Sequence, residues 1–429
     1  MPNKKYAADV IVVGGGLAGV ISAIIAARNG YKVILIEKGS CLGGIATASM
    51  LGEINGAYLN GEIVVSSIGE EIINNLAKRE AALFEDNIPM TSNPAIQVDR
   101  VRYNSEYLKI VLDEMVAKEN IQLFFCSNIK TIENSNNNIQ ITLTNLYEDL
   151  IIDGRVLIDS TGNSECIYML REKTVSTCKD KKQAVTEIFK MGGVNIVEFN
   201  KLKTDEIQDI ILKGTTSSIL PSNIMSMLRV PGTNDIVINC TRCENIDHES
   251  IEDISMALIE LRQQINRIIP FIKENVRGCK NAYLSGIASS IGVRDRRRID
   301  GMYELTGDDL IACKTFKDSV AVGVYPVDLH VRTNKNSSVE FIKIGGNGIY
   351  KIPYRSMLTK TLDNVIANGK CIAADDVAFG AFRALGSIMN IATAAGAAAS
   401  LAIKNNSSVK NVDIQELQGM LRKLGVKEI

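Results

Sequence analysis

A chain of 429 residues is long enough for two substantial domains, each with a core of its own. Its formal net charge of -1 argues against the generic basic surface of a nucleic-acid binder, leaving only local basic clefts open. Nine cysteines lie scattered without an extracellular-style framework, and the first apolar run leads into glycines rather than a cleavage site, so reduced thiols in a cytoplasmic protein are expected.

The first predicted element is a buried strand, Val10 to Val13. It runs into Gly14, Gly16 and Gly19 in G-x-G-x-x-G spacing, with Gly15 as an additional glycine. The first glycine permits a tight turn, the second lets backbone approach a pyrophosphate, and the third lets a helix pack close to the sheet. The helix N-terminus then offers unpaired N–H groups and a positive dipole end. Lys32 to Ile36 reads as the next strand, and Glu37 at its end can accept hydrogen bonds from a ribose. Strand, turn, alanine-rich helix, strand and acid in this order predict a dinucleotide-binding unit.

A loop with Cys41, Leu42, Gly43 and Gly44 follows, then small residues through Gly61, suited to a large planar cofactor or to ordinary loops. Helical spacing is read over Ile68 to Ala82 and Tyr107 to Ala117. Strands are expected at Ile121 to Cys126, Ile139 to Leu143 and Val156 to Ile158. The last enters Asp159-Ser160-Thr161-Gly162, either a plain turn or a second cofactor contact, since open α/β sheets bind ligands beyond their strand C-termini.

The middle of the chain differs in texture. Ile236 to Asn239 reads as a strand and Ile251 to Ile269 as a long amphipathic helix; Tyr283 to Ile291, Ser319 to Val324 and Val339 to Ile344 are strand-like. Cys240 and Cys243 form a C-x-x-C, read as ordinary thiols; two histidines in the whole chain give no metal site. The apolar stretch Val365 to Ile403 holds a strand, Asp375-Asp376 and a helix from about Ser387. Asn390 and Thr393 favour a buried helix over a membrane span. A terminal helix is expected over Ile414 to Leu424. The fold class is α/β, a Rossmann-like domain with an inserted α+β substrate domain. The boundaries are 1–165 for its first part, 166–355 for the insertion with a returning junction segment, 356–405 for its final part, and 406–429 for a tail.

These motifs run through nearly the whole chain: GGGLAG, EKGSCLGG, Ser160 to Gly162, GVRDRRRIDG at Gly292 to Gly301, and TGDDL at Thr306 to Leu310. DLH ending in His330, IPYRSML at Ile352 to Leu358 and the block from NGKCIAADD to AAGAAAS complete them. In this order the chain resembles the FAD-dependent oxidoreductase family, with its glutathione-reductase-like FAD domain. The resemblance implies a cofactor, FAD, and the positions that hold it. Gly14, Gly15, Gly16, Gly19, Gly43 and Gly44 would lie at the diphosphate or flavin, and Glu37 with Lys38 at the ribose. Thr161 and Gly162 would sit on the adenine side, and Gly386 and Ser387 would open the helix pointing at the flavin. Lys370 stands where relatives commonly carry arginine, which weakens any bidentate contact there.

Arg294 and Arg297, with Arg296 interleaved, form either a solvated basic face with ion pairs to Asp295, Asp300, Asp308 and Asp309, or a clamp for a polar substrate. His330 is the economical general acid/base, near Asp328 on one predicted strand; a structural histidine is the alternative. His248 reads as a surface residue, and Cys41 as a loop thiol. The expected activity is hydride or electron-pair transfer between flavin and a small organic substrate, with an unknown electron donor or acceptor. A flavin monooxygenase and a non-catalytic redox sensor are the rivals. No membrane insertion is expected, and amphipathic helices leave homo-oligomerisation open.

Overall fold

A computed structural model of the protein describes residues 4–90, 93–135, 138–145, 147–176, 183–294, 296–332 and 337–429, without the side chains at 330–332 and 337–339. Its central sheet, seven strands among the described residues, begins with β1 (Lys4–Val13). Helix α1 (Leu17–Arg28) returns the chain to β2 (Val33–Ile36), parallel to β1. The order across the sheet is Gln122–Phe124, β2, β1, Asp149–Asp159, Asn138–Thr144, Asn128–Ser135. Asp149–Asp159 is long enough to serve two partners on one edge. Its first half pairs antiparallel with Asn138–Thr144, and its last residues pair in parallel with Val365–Ala367. The chain thus comes back to the sheet after more than two hundred residues, as the sequence predicts for a strand near Val365.

The final helix against this sheet, Leu385–Lys404, is long and apolar enough to cross a membrane, yet every residue from Leu385 to Ile403 is buried in the fold. Its small residues explain how. A Cβ on Gly396 would lie 2.6 Å from the Ser22 carbonyl oxygen of α1, so glycine there lets the two helices touch backbone to backbone. Asn390, 1% exposed, serves as a polar hub. Its Oδ1 accepts from the Ser66 N–H at 2.8 Å, and its Nδ2 donates to the Val64 and Val322 carbonyls, each at 3.1 Å. The same core takes in Leu305, Val320, Tyr350 and Ile352, so the segment between the insertion and the last strand buries its side chains with α1 and the final helix.

A second, antiparallel sheet runs Ser226–Arg229, Ile236–Asn239, Phe189–Gly192, Tyr283–Ile287. Phe189, Ile236 and Ile238 pack with Ile210, Ile265 and Ile272 from two helices, Thr204–Thr216 and Ile251–Asn275, in a core of their own. Several expectations need correction. The helix read over Ile68 to Ala82 stops at Ala77, and Ala82 opens the strand Ala82–Met90, which pairs with Asn93–Tyr103. The strand read from Tyr283 ends at Ile287 rather than Ile291. His248 is buried, 3% exposed, not a surface residue.

Candidate functional site

A cleft of about 700 Å³ opens beyond the C-terminal ends of β1, β2 and Asp149–Asp159. Its floor is the glycine turn. Gly14 has φ +101° and Gly19 presses on it, since a Cβ on Gly19 would lie 1.8 Å from the Gly14 carbonyl oxygen. Gly16 is the reverse case. It caps α1, and a Cβ there would meet nothing within 4 Å. The first turn of α1 carries no acidic residue and no side-chain cap, so no side chain of its own engages the N–H groups at the cleft wall. Gly43, at φ +100°, donates its N–H to the Gly15 carbonyl at 2.8 Å and brings the Gly43-Gly44 loop against the turn.

Glu37 stands at the end of β2 with its carboxylate held on both oxygens. The Gly15 N–H donates to Oε2 and the Gly39 N–H to Oε1, each at 2.6 Å. Lys38 reaches across the mouth to Glu165 at 3.2 Å. Asp159, fully buried, organises the opposite turn, a role that its place at a strand end does not reveal in the sequence. It accepts from the Thr161 hydroxyl at 2.7 Å and from the N–H groups of Thr161 and Ile167 at 3.1 Å. Burial raises its carboxyl above the usual range against the pull of those donors. The result is that Thr161 and Gly162 line the cleft.

The cleft brings together Gly14, Gly16, Glu37, Lys38, Gly43, Gly44, Thr161 and Gly162. Gly15 and Gly19 lie behind its lining, Gly15 against Leu42 and Glu37. Gly386 and Ser387 also face away. Gly386 abuts the Gly56 carbonyl, and the Ser387 hydroxyl shares a 2.9 Å hydrogen bond with that of Tyr350. The helix instead presents Leu385 and Ile388 to the cleft. Lys370 lines it too, and its Nζ donates to the carbonyls of Val293 and Arg294 at 2.9 and 3.0 Å, tying the returning segment to the nucleotide fold.

Of the arginine cluster, Arg296 reaches the cleft lining; Arg294 and Arg297 do not. Arg294 donates to the Ala184 carbonyl at 2.7 Å. Arg297 pairs with Glu249 at 2.7 Å and stacks over the Tyr168 ring. Arg298 pairs with Asp376 and covers Phe379. Arg296 lies near Glu165 and Glu249, with its Nε buried and without a hydrogen-bond partner; desolvation lowers its pKa. Asp295 lies outside the described residues. Arg383, which no sequence motif singles out, also lines the cleft, and its Nη2 donates to the backbone oxygen and carboxylate of Asp328, each at 3.1 Å. His330 follows two residues along the strand Val327–Arg332, its backbone opposite Val339; its side chain lies outside the described residues. Cys41 borders the cleft as a free thiol. Cys240 and Cys243 are also free, and burial pushes Cys240 up to about 12, far from a reactive thiolate.

A family model described as FAD dependent oxidoreductase matches residues 9–421. The chain belongs to that family. This FAD-dependent oxidoreductase is similar to the tRNA uridine 5-carboxymethylaminomethyl modification enzyme MnmG of Lachnoclostridium phytofermentans, 27% identical over 176 residues, 39% of this chain and 26% of that protein. It is also similar to dihydrolipoyl dehydrogenase 1, mitochondrial, of Arabidopsis thaliana, 28% identical over 126 residues, 26% of this chain and 24% of that protein. The oxidoreductase therefore spans about a quarter of the length of these curated relatives. Two solved structures share its fold over almost the whole chain. The p-nitrophenol 4-monooxygenase PnpA of Pseudomonas putida has TM-score 0.53 and 10% identity, covering 99% of this chain and 90% of its own. A geranylgeranyl bacteriochlorophyll reductase-like protein of Thermoplasma acidophilum has TM-score 0.51 and 15% identity, covering 98% and 84%.

Proposed function

We propose that the cleft holds one FAD noncovalently and that the protein passes hydride or electron pairs between this flavin and a small organic substrate. The observation that carries the reading is the uncapped, acid-free start of α1, with Gly16 open to a cleft of about 700 Å³ at the strand ends. Gly14, Gly16, Gly43 and Gly44 leave backbone access for a diphosphate. Glu37, already aligned by two N–H donors, presents a carboxylate to a ribose. Thr161 and Gly162 flank the adenine side, and Leu385 and Ile388 give an apolar wall to the flavin end. FAD supplies the redox chemistry when bound; the chain fixes position, excludes water and moves the proton. Arg383, held by Asp328, puts a cation at the flavin end, and we assign the proton transfer to His330, two residues from Asp328 on the same strand.

Denaturing the purified protein should release FAD, identified by chromatography and mass; release of FMN alone, or no flavin after reconstitution, rejects the cofactor reading. Anaerobic exposure to a broad metabolite set should bleach the flavin with the physiological reductant. Bleaching by NAD(P)H alone, followed by substrate-dependent oxygen consumption, would assign the monooxygenase chemistry of the PnpA-like neighbour instead. His330→Gln keeps a polar side chain but no imidazole. It should slow substrate-dependent flavin reduction by roughly 10²–10⁴-fold at unchanged FAD occupancy, with an altered pH profile. Wild-type rates across that profile would remove His330 from the chemistry.

A further inference from the structure

Resting on the FAD reading of the cleft, we propose that Arg296 grips the diphosphate of the ADP half of the cofactor. Lys38, Arg296, Lys370 and Arg383 are the cationic side chains of the cleft lining. Three are engaged within the protein: Lys38 with Glu165, Lys370 with two carbonyls, Arg383 with Asp328. Arg296 is different. Among the described residues its side chain alone of the four has neither an ion pair nor a hydrogen bond; a buried Nε without a partner it shares with Arg383. The carboxylates nearest in charge, Glu165 and Glu249, already bond Lys38 and Arg297.

A buried guanidinium N–H without an acceptor costs stability, because its hydration is lost and not replaced. A bound anion reverses that cost, and the planar fork of arginine matches two phosphate oxygens at once. Location and charge together select the anion. Arg296 is coupled in charge to Glu165, which also bonds Lys38 and Asn163 on the ribose and adenine side, the half of the cofactor that carries the diphosphate on its ribose, whereas Arg383 lines the cleft with Leu385 and Ile388. In oxidised FAD the adenine, the sugar chains and the ring system are neutral, so the diphosphate is the anionic part within the cofactor. Its negative charge would be shared between the α1 N-terminus and Arg296, one a set of N–H donors and the other a full charge.

Flavin-free protein should be titrated calorimetrically with FAD, ADP and adenosine, for the wild type and for Arg296→Ala. Loss of the contact should weaken FAD and ADP by roughly tenfold to a hundredfold and leave adenosine within about twofold. Unchanged FAD and ADP affinities in the folded variant overturn the proposal, and an equal loss for adenosine does so too, since it reports stacking on the base. Arg296→Gln, which keeps length and polarity without charge, serves as the same test where the alanine variant does not fold. Failure of both variants to fold assigns Arg296 to the domain junction and also overturns the proposal. A wild-type protein that binds neither FAD nor ADP overturns the cofactor reading itself, a separate result.

Discussion

Gly16 and Gly19 sit three residues apart in one turn, and the structure asks opposite things of them. A side chain on Gly16 enters open space in the cleft, whereas one on Gly19 starts 1.8 Å from the Gly14 carbonyl oxygen. Gly16→Val should therefore fold with a near-wild-type melting temperature while FAD affinity falls at least tenfold. Gly19→Val should lose several kcal/mol of stability, about 4 or more, and yield little soluble protein, because a backbone atom cannot move aside as a side chain can. Equal stability of the two variants in thermal melts would contradict the turn geometry. Both glycines are legible in the sequence because the turn is a local signal carried by spacing alone. The arginines are legible only as a cluster. Their partners, Ala184, Glu249 and Asp376, lie far away in sequence, the first by 110 residues. Four neighbouring arginines look alike until the tertiary structure occupies three of them and leaves Arg296 at the cleft.

At the scale of elements, long periodic segments and short unbroken apolar runs are readable from sequence, and strands that carry charges are not. The helix Leu385–Lys404 is legible from composition, and Asn390 within it is the clue against a membrane span. The sheet of Glu53–Asn55, Asn93–Tyr103 and Ala82–Met90 escapes such a reading because it uses paired charges where alternating apolar residues are expected. Arg100 bonds Glu85 at 2.7 Å and Glu53 at 3.2 Å across its strands, and all three are largely covered. Phe189–Gly192 and Ser226–Arg229 each carry a basic residue among four, whereas the equally short Ile236–Asn239 is legible from its unbroken apolar run. Asn390 supplies the test at this scale. Asn390→Leu conserves volume but leaves the Ser66 N–H and the Val64 and Val322 carbonyls buried without partners. At about 1–3 kcal/mol for each unmade bond, the loss should be about 3 kcal/mol or more, read as a lower midpoint in urea. A variant as stable as wild type would mean that these backbone groups find other partners.

Across the whole molecule the cleft is a meeting of remote stretches. The glycine turn, Glu37 to Ser49, Ser127 to Ile129, Ser160 to Met169, Ser289 to Arg296 and Asn368 to Ile388 each give it a wall. The Ser289 to Arg296 stretch leads directly out of the second sheet, whose last strand is Tyr283–Ile287. The cation of Lys370 is bonded to the carbonyls of that stretch. A ligand filling the cleft should thus couple the nucleotide fold and the inserted sheet into one unfolding unit. At a free FAD concentration a hundredfold above the dissociation constant, binding to the native state alone adds about 2.7 kcal/mol. For a chain of this length that is about 3 °C in melting temperature, using the usual unfolding entropy per residue. The expected calorimetric trace is one transition that moves up with FAD and stays fixed in Gly16→Val, whose cleft is obstructed. Two transitions, with only the higher or the lower one responding to FAD, would show that the inserted sheet unfolds independently. Its contacts through Lys370 and the arginine segment would then position the cleft wall without sharing in its stability.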